Sequence, residues 1–324
     1  MRMWDEAPKT ELFGGQIYTF GLYCLIGATA AVAAVLILCR HERMEKGTGG
    51  LLSLLSIVLG TIVSRLFFSV LYSVSADGFP LFAWFRISSG GWSLYGMICG
   101  VFAAAWICAK ITGDNSGKTL DAASCALPLM IAAERFGERY FDGFDVSRPL
   151  RNGAFPGNTF LAVGDTYYED ISFLATYLVA AIASLILFLT LVLFLTRRQR
   201  EDGDLWILFM ILCGAGGIML ESLRYDHFLE YSFVCFQQIL AAVLLITGVV
   251  VSGIRNRGAH KGMTVMAYIS LPLAIGMCGG IEYALDRTTI SHYLLYAVMF
   301  SALAVPVILG ILLLRNRKKG IETA

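Results

Sequence analysis

Long apolar runs alternate along the chain with short polar interruptions, and the length of the runs decides what they can be. A helix needs about 20 apolar residues to cross a bilayer core. That length picks out segments near 17–39, 51–72, 92–111, 119–140, 171–195, 205–223, 231–253, 263–285 and 292–314. The pattern predicts an all-α, polytopic integral membrane bundle of about nine transmembrane helices. Two stretches do not fit this scheme. Residues 78–91 (GFPLFAWFRISSGG) are too aromatic for a solvated loop and too short to span, which suits an interfacial or re-entrant piece at headgroup depth. Residues 141–170 hold enough Gly, Asp, Asn and aromatic side chains to fold as a loop over an external opening.

Composition agrees and narrows the class. Hydrophobic residues make up 57% of the 324 positions and charged ones 15%, which excludes a soluble globular domain. A net charge of +1 gives no ground for a nucleic-acid or acidic partner. The basic residues sort by loop: Arg40, Arg43 and Lys46; Lys110 and Lys118; Arg197, Arg198 and Arg200; Arg255, Arg257 and Lys261; and Arg315, Arg317, Lys318 and Lys319 fall on alternate connections and the C-terminus. The positive-inside rule then places the N-terminus outside and the C-terminus in the cytoplasm. Asp5, Glu6 and Glu11 precede the first run, unlike the basic start of a secretory signal, so the first span is expected to be retained. All eight cysteines lie in apolar stretches without a CxxC pair and fit small buried residues. His41, His227, His260 and His292 fall in loops or at span ends. No pattern calls for a metal or a cofactor.

Charges inside the spans carry the candidate chemistry. Arg65 sits in the outer half of the second span, where a charge costs roughly 2.5–3.5 kcal/mol at mid-helix and must face the bundle interior or snorkel to the headgroups. The fourth span ends ALPLMIAAERFGERYFDGF, with Glu134 and Glu138 on one stripe and Arg135 and Arg139 on the next. A self-paired cap at the outer interface is one explanation. Pro128 and Gly137 favour another, because the backbone groups they free are tolerated only beside protein or a water-filled cavity. In the sixth span Glu221 and Arg224 lie three apart, after Gly214, Gly216 and Gly217, which permit close helix approach. Glu282 follows a similar short string in the eighth span, too short to establish a repeat.

Taken in order, these strings resemble the bacterial prolipoprotein diacylglyceryl transferase family from about residue 16 to 253. TFGLYCLIG matches the family's Tyr-Gly-Leu opening with Phe20 at the tyrosine position. VSRLFFSVLY matches its second-span arginine at Arg65, and GGWSLYGM supplies Gly90, Gly91, Ser93 and Gly96, with Tyr95 where the family has histidine. Asp121, Pro128, Arg135 and Gly137 keep the fourth-span pattern, while Glu138 replaces an asparagine and Phe141 a second one. Tyr168 and Glu169 match a Tyr-Glu pair before the fifth span. Gly214, Glu221 and Arg224 match the sixth span, with Gly217 at an arginine position. Gln237, Gln238, Ile239 and Leu240 match a seventh-span string.

The resemblance implies a seven-span domain over 1–253, with two additional helices over 263–314, in the bacterial cytoplasmic membrane. It implies transfer of a diacylglyceryl group from phosphatidylglycerol to a cysteine thiol of a lipoprotein precursor, without a cofactor. Arg135 would hold the lipid phosphate, with Arg65 or Arg224 as a second contact, since a guanidinium grips phosphate with two parallel hydrogen bonds. Tyr95 or Glu138 would have to take the proton. Gly90, Gly91, Ser93, Gly137, Tyr168, Glu169 and Glu221 would line the lipid cavity. The alternative is a non-catalytic lipid-binding or transport protein that kept the fold, because the departures fall on polar positions. Pro272, Gly279, Gly280, Glu282 and Pro306 in the last two spans suit a remodelled pathway, a partner surface or simple packing.

Overall fold

The computed structural model describes residues 9–12, 15–75, 91–140, 159–164, 172–196, 200–224, 230–231, 234–256 and 260–316. Among these residues the chain forms nine α-helices: α1 (Thr19–His41), α2 (Thr48–Ser75), α3 (Leu94–Thr112), α4 (Ser116–Gly137), α5 (Thr176–Leu195), α6 (Asp204–Leu223), α7 (Phe236–Arg255), α8 (Lys261–Arg287) and α9 (His292–Asn316). Each predicted span has its helix. Eight of the nine are long and apolar enough to cross a membrane. The exception is α4, as long as its neighbours but carrying Lys118, Asp121, Glu134 and Arg135. Most of α4 is buried by protein, so it has little need of a lipid-compatible surface.

Three short antiparallel hairpins among the described residues were not predicted. They pair β1 (Lys9–Leu12) with β2 (Gly15–Tyr18), β3 (Ala162–Gly164) with β4 (Ser172–Leu174), and β5 (Glu230–Tyr231) with β6 (Val234–Cys235). They precede α1, α5 and α7. With two to four residues per strand, they leave no alternating pattern for a sequence to display.

The chain divides into two compact units, Met1–Asp145 with Ala175–Val192, and Val146–Leu174 with Leu193–Ala324. In the first, α2 and α3 approach until a Cβ at Gly96 would lie 2.9 Å from the Ser64 Cα, so only glycine fits there. Similarly, Gly27 on α1 faces Met130 and Ala133 of α4. In the second unit, Ile207, Leu208, Phe209, Met210 and Ile211 are consecutive and all buried, so α6 is surrounded. Gly310 of α9 packs on Ile211, and its carbonyl accepts the Ser252 hydroxyl of α7 at 3.1 Å. Outward-facing Leu25, Ile37, Leu193 and Phe300 form the apolar surface a lipid-facing bundle requires. All eight cysteines are free thiols.

The α1–α2 and α3–α4 connections are held together by polar contacts. Asp114, after α3, accepts the Thr48 hydroxyl, the Thr112 hydroxyl at 3.1 Å and the Glu45 N–H at 3.2 Å. Burial pushes its carboxyl up, but these three hydrogen bonds and the nearby Lys118 outweigh that and hold it below its ordinary value of 3.8.

Candidate functional site

The first cluster is built where α3 begins beside α2. Ser93 has an extended backbone, and its hydroxyl accepts the Gly96 N–H at 3.2 Å, capping α3. The Ser64 hydroxyl donates to the Ser93 carbonyl at 2.8 Å and accepts its N–H at 2.9 Å. These bonds tie the helix start to the residue before Arg65. The Arg65 guanidinium donates to the Gly91 carbonyl at 3.2 Å and lies 5.2 Å above the Trp92 ring, a cation–π arrangement. Gly91 has φ +82°, and a Cβ there would run into the Phe68 ring. Arg65 is only 6% exposed, so it turns into protein instead of snorkelling. Tyr95, on the first turn of α3, is 4% exposed.

At the C-terminal end of α4 a second cluster forms. The helix closes at Gly137 and tightens into a 3-10 turn, Glu138–Tyr140. That turn brings the Glu138 carboxylate 2.8 Å from Arg135 Nη1, with both residues under 10% exposed. Across the two adjacent stripes, Arg135 and Glu138 pair three residues apart, and Arg139 is exposed. A guanidinium here also faces the negative end of the helix dipole. Gly137 packs against α1, where a Cβ would lie 3.0 Å from Tyr23 and 3.1 Å from Phe20. The Tyr23 and Tyr140 hydroxyls share a 3.3 Å hydrogen bond, and their rings stack at 5.4 Å. Phe136 lies against Tyr23 and meets Tyr177 of α5 edge-on, completing an aromatic collar around the turn.

Of the charges singled out in the sequence, the second unit holds Glu221 and Arg224. Arg224 Nε lies 4.0 Å from Glu221 Oε2 at the end of α6, with both side chains buried. Of the three glycines expected to permit close approach, Gly214 does so, since a Cβ there would lie 2.5 Å from the Leu245 backbone nitrogen of α7. Gly216 faces open space.

Thus Arg65 is grouped with Gly91 and Ser93, Arg135 with Gly137 and Glu138, and Glu221 with Arg224. Gly90, Tyr168 and Glu169 lie outside the described residues, as do residues 78–90 and most of the 141–170 loop. Sequence reasoning assigned no role to Ser64, Trp92, Tyr23 or Tyr140. An aromatic ring beside a glycine near a buried arginine is a usable signal for Trp92. Nothing in the sequence pairs Tyr23 with Tyr140 across more than a hundred residues. Among the described residues, no group of three or more His, Cys, Asp and Glu side chains could hold a metal ion.

Residues 10–254 match the family model described as prolipoprotein diacylglyceryl transferase. A phosphatidylglycerol–prolipoprotein diacylglyceryl transferase of Thermotoga petrophila is 26% identical over 196 residues, covering 59% of this chain and 65% of that protein. The Shouchella clausii protein of the same name is 22% identical over 244 residues, 72% of this chain and 84% of its own. That of Staphylococcus haemolyticus is 24% identical over 204 residues, 60% and 69% respectively. The match to the Thermotoga protein therefore spans just under two thirds of that relative. The family model covers α1 through nearly all of α7 and every charged cluster described above, and on that match the chain belongs to the prolipoprotein diacylglyceryl transferase family.

Proposed function

We propose that the protein transfers the diacylglyceryl group of phosphatidylglycerol to a cysteine thiol of a lipoprotein precursor in the bacterial cytoplasmic membrane. The observation that carries this is Arg135, a guanidinium buried at the end of a buried polar helix inside the matched region. In the reaction a carbon–sulfur bond forms to the diacylglyceryl carbon, the bond from that carbon to the phosphate oxygen breaks, and glycerol phosphate leaves. The thiol proton passes to a base. A guanidinium that binds the phosphate in two places stabilises the charge gathering on the leaving group. Either Arg65 or Arg224 is the second contact in this account. Gly91, Ser93 and Gly137, grouped with Arg65 or Arg135, belong to the lipid site.

Glu138 is the preferred base, because a carboxylate already in contact with Arg135 can take a proton once the phosphate claims the guanidinium. Tyr95 serves better as a hydrogen-bond donor, since tyrosine is ordinarily neutral near pH 7. Basic connections support an external N-terminus and a cytoplasmic C-terminus. The end of the family match at residue 254 supports a transferase-like part, 1–253, followed by two appended helices, 263–314.

One observation favours a second account. The 2.8 Å contact with Glu138 occupies the guanidinium that transfer would turn on the leaving phosphate, which suits a protein that kept the fold without the reaction. Complementation separates the two. A bacterium depleted of its own transferase should grow when given this chain and fail with Arg135→Ala. Failure of the unmutated chain, correctly inserted in the membrane, would overturn transfer and leave lipid binding.

A further inference from the structure

The two helices beyond the family match are joined to α6 and α7 by polar contacts buried in the second unit. Glu282 of α8 is 2% exposed, and its Oε1 accepts a 2.6 Å hydrogen bond from Gln238 Nε2 of α7. The Gln238 side chain is fixed on two other sides. Its Oε1 accepts the Cys235 N–H at 3.1 Å, capping α7, and its Nε2 also reaches the Ile218 carbonyl of α6 at 3.4 Å. One turn along α6 from Ile218 is Glu221, which pairs with Arg224. From α9, the buried Tyr296 hydroxyl donates to the Ser222 carbonyl at 3.1 Å. The end of α6 is thus held at Ile218 by α8, acting through Gln238, and at Ser222, between Glu221 and Arg224, directly by α9.

A buried carboxylate is expensive to keep as packing alone, and a neutral apolar residue would fill the same volume at lower cost. Helix packing in a membrane does not need it either, because small residues and van der Waals contact suffice. What the carboxylate adds is direction. A short hydrogen bond to Gln238 fixes an amide that spans α7 and α6, and a fixed amide fixes the α6 end.

We infer that Glu282 is a positioning residue for the anion site at the end of α6. Through Gln238, and together with Tyr296, it sets the geometry in which Arg224 meets a lipid phosphate. This makes α8 and α9 part of the lipid-holding apparatus. The inference rests on phosphatidylglycerol being the lipid held, but not on its transfer.

Binding to the full chain tests it. The protein is purified in detergent and titrated with phosphatidylglycerol, with phosphatidylethanolamine as control, and bound lipid is counted by native mass spectrometry. Glu282→Ala should weaken phosphatidylglycerol binding about tenfold, the scale of one lost hydrogen bond to a charged group. Glu282→Gln keeps an acceptor for Gln238 and should bind within about twofold of the parent. Arg224→Ala combined with Glu282→Ala should bind no more weakly than Arg224→Ala alone, because the two act through one site. A purely structural role would lower the yield of folded protein but leave the affinity of the folded fraction unchanged. Should Glu282→Ala fail to fold, Tyr296→Phe removes the second contact and should weaken binding about threefold.

Parent-like affinity in Glu282→Ala, or in Tyr296→Phe where that variant stands in, would overturn the inference. So would losses that multiply in the double variant. A parent protein that binds phosphatidylglycerol but forms no product would overturn transfer and leave this inference standing. One that binds no phosphatidylglycerol would overturn both.

Discussion

Arg135 and Glu138 form the contact on which residue-scale behaviour turns. Removing one partner of a buried pair leaves a charge in a poor solvent, so Glu138→Ala should destabilise the protein by about 3 kcal/mol, seen as a lower thermal midpoint in detergent. Glu138→Gln, which keeps an acceptor for Nη1, should lose less. Glu138→Asn places the family's residue there and frees the guanidinium from its counter-charge. Phosphatidylglycerol titration should show tighter binding in that variant than in the parent; weaker binding would mean that Glu138 helps hold the lipid. The sequence made Arg65, Arg135, Glu138, Glu221 and Arg224 conspicuous, because each is a charge in an apolar run. It could not show which pairs form. The Arg135 pair forms where α4 gives way to a 3-10 turn at Glu138, and Arg65 finds its carbonyl 26 residues away. Backbone conformation and tertiary placement decide both contacts, and neither leaves a periodic trace.

At the scale of elements, the helices were legible because a bilayer imposes their length, and α4 was legible although polar because its run length matched the others. The hairpins before α1, α5 and α7 were not, since such short strands fall below any period. The Asp114 contacts between the α1–α2 and α3–α4 connections make a separate prediction. Its carboxyl is held below its ordinary value in the folded state, so the stability it contributes is full above that value and is lost as pH falls through the lower, folded one. Asp114→Ala should cost about 2 kcal/mol near neutral pH. The gap from the parent should close under strong acid, and thermal melts at neutral and acidic pH would reveal this. A gap independent of pH would deny Asp114 that role. Close approach of α2 and α3 has its own test. Gly100 meets the α2 backbone at Leu59 and Gly60, so Gly100→Leu must push the helices apart and loosen Arg65 from Gly91. Disulfide trapping between cysteines introduced on α2 and α3 should become slower in that variant.

The whole molecule consists of a region that belongs to a transferase family and two helices beyond it, and its surface is that of a multi-pass membrane protein. Truncation after residue 260 removes Glu282, Tyr296 and the α9 surface that packs on α6 and α7. If the appended helices serve lipid holding, the truncated chain should bind phosphatidylglycerol more weakly even in the fraction that remains folded. The family was legible from the order of short strings along the chain. Retention of the reaction was less so, because Phe20, Tyr95, Glu138 and Gly217 stand where the family's pattern has other polar or basic residues.

Transfer itself is the most direct test. The purified full chain is reconstituted in vesicles containing phosphatidylglycerol labelled in its acyl chains, with a peptide bearing the lipoprotein-type cysteine, and the peptide is analysed for a labelled thioether. The account predicts labelled peptide and an equal amount of released glycerol phosphate, with both falling about 100-fold in Arg135→Ala. Folded, lipid-loaded protein that leaves the thiol unmodified would contradict it.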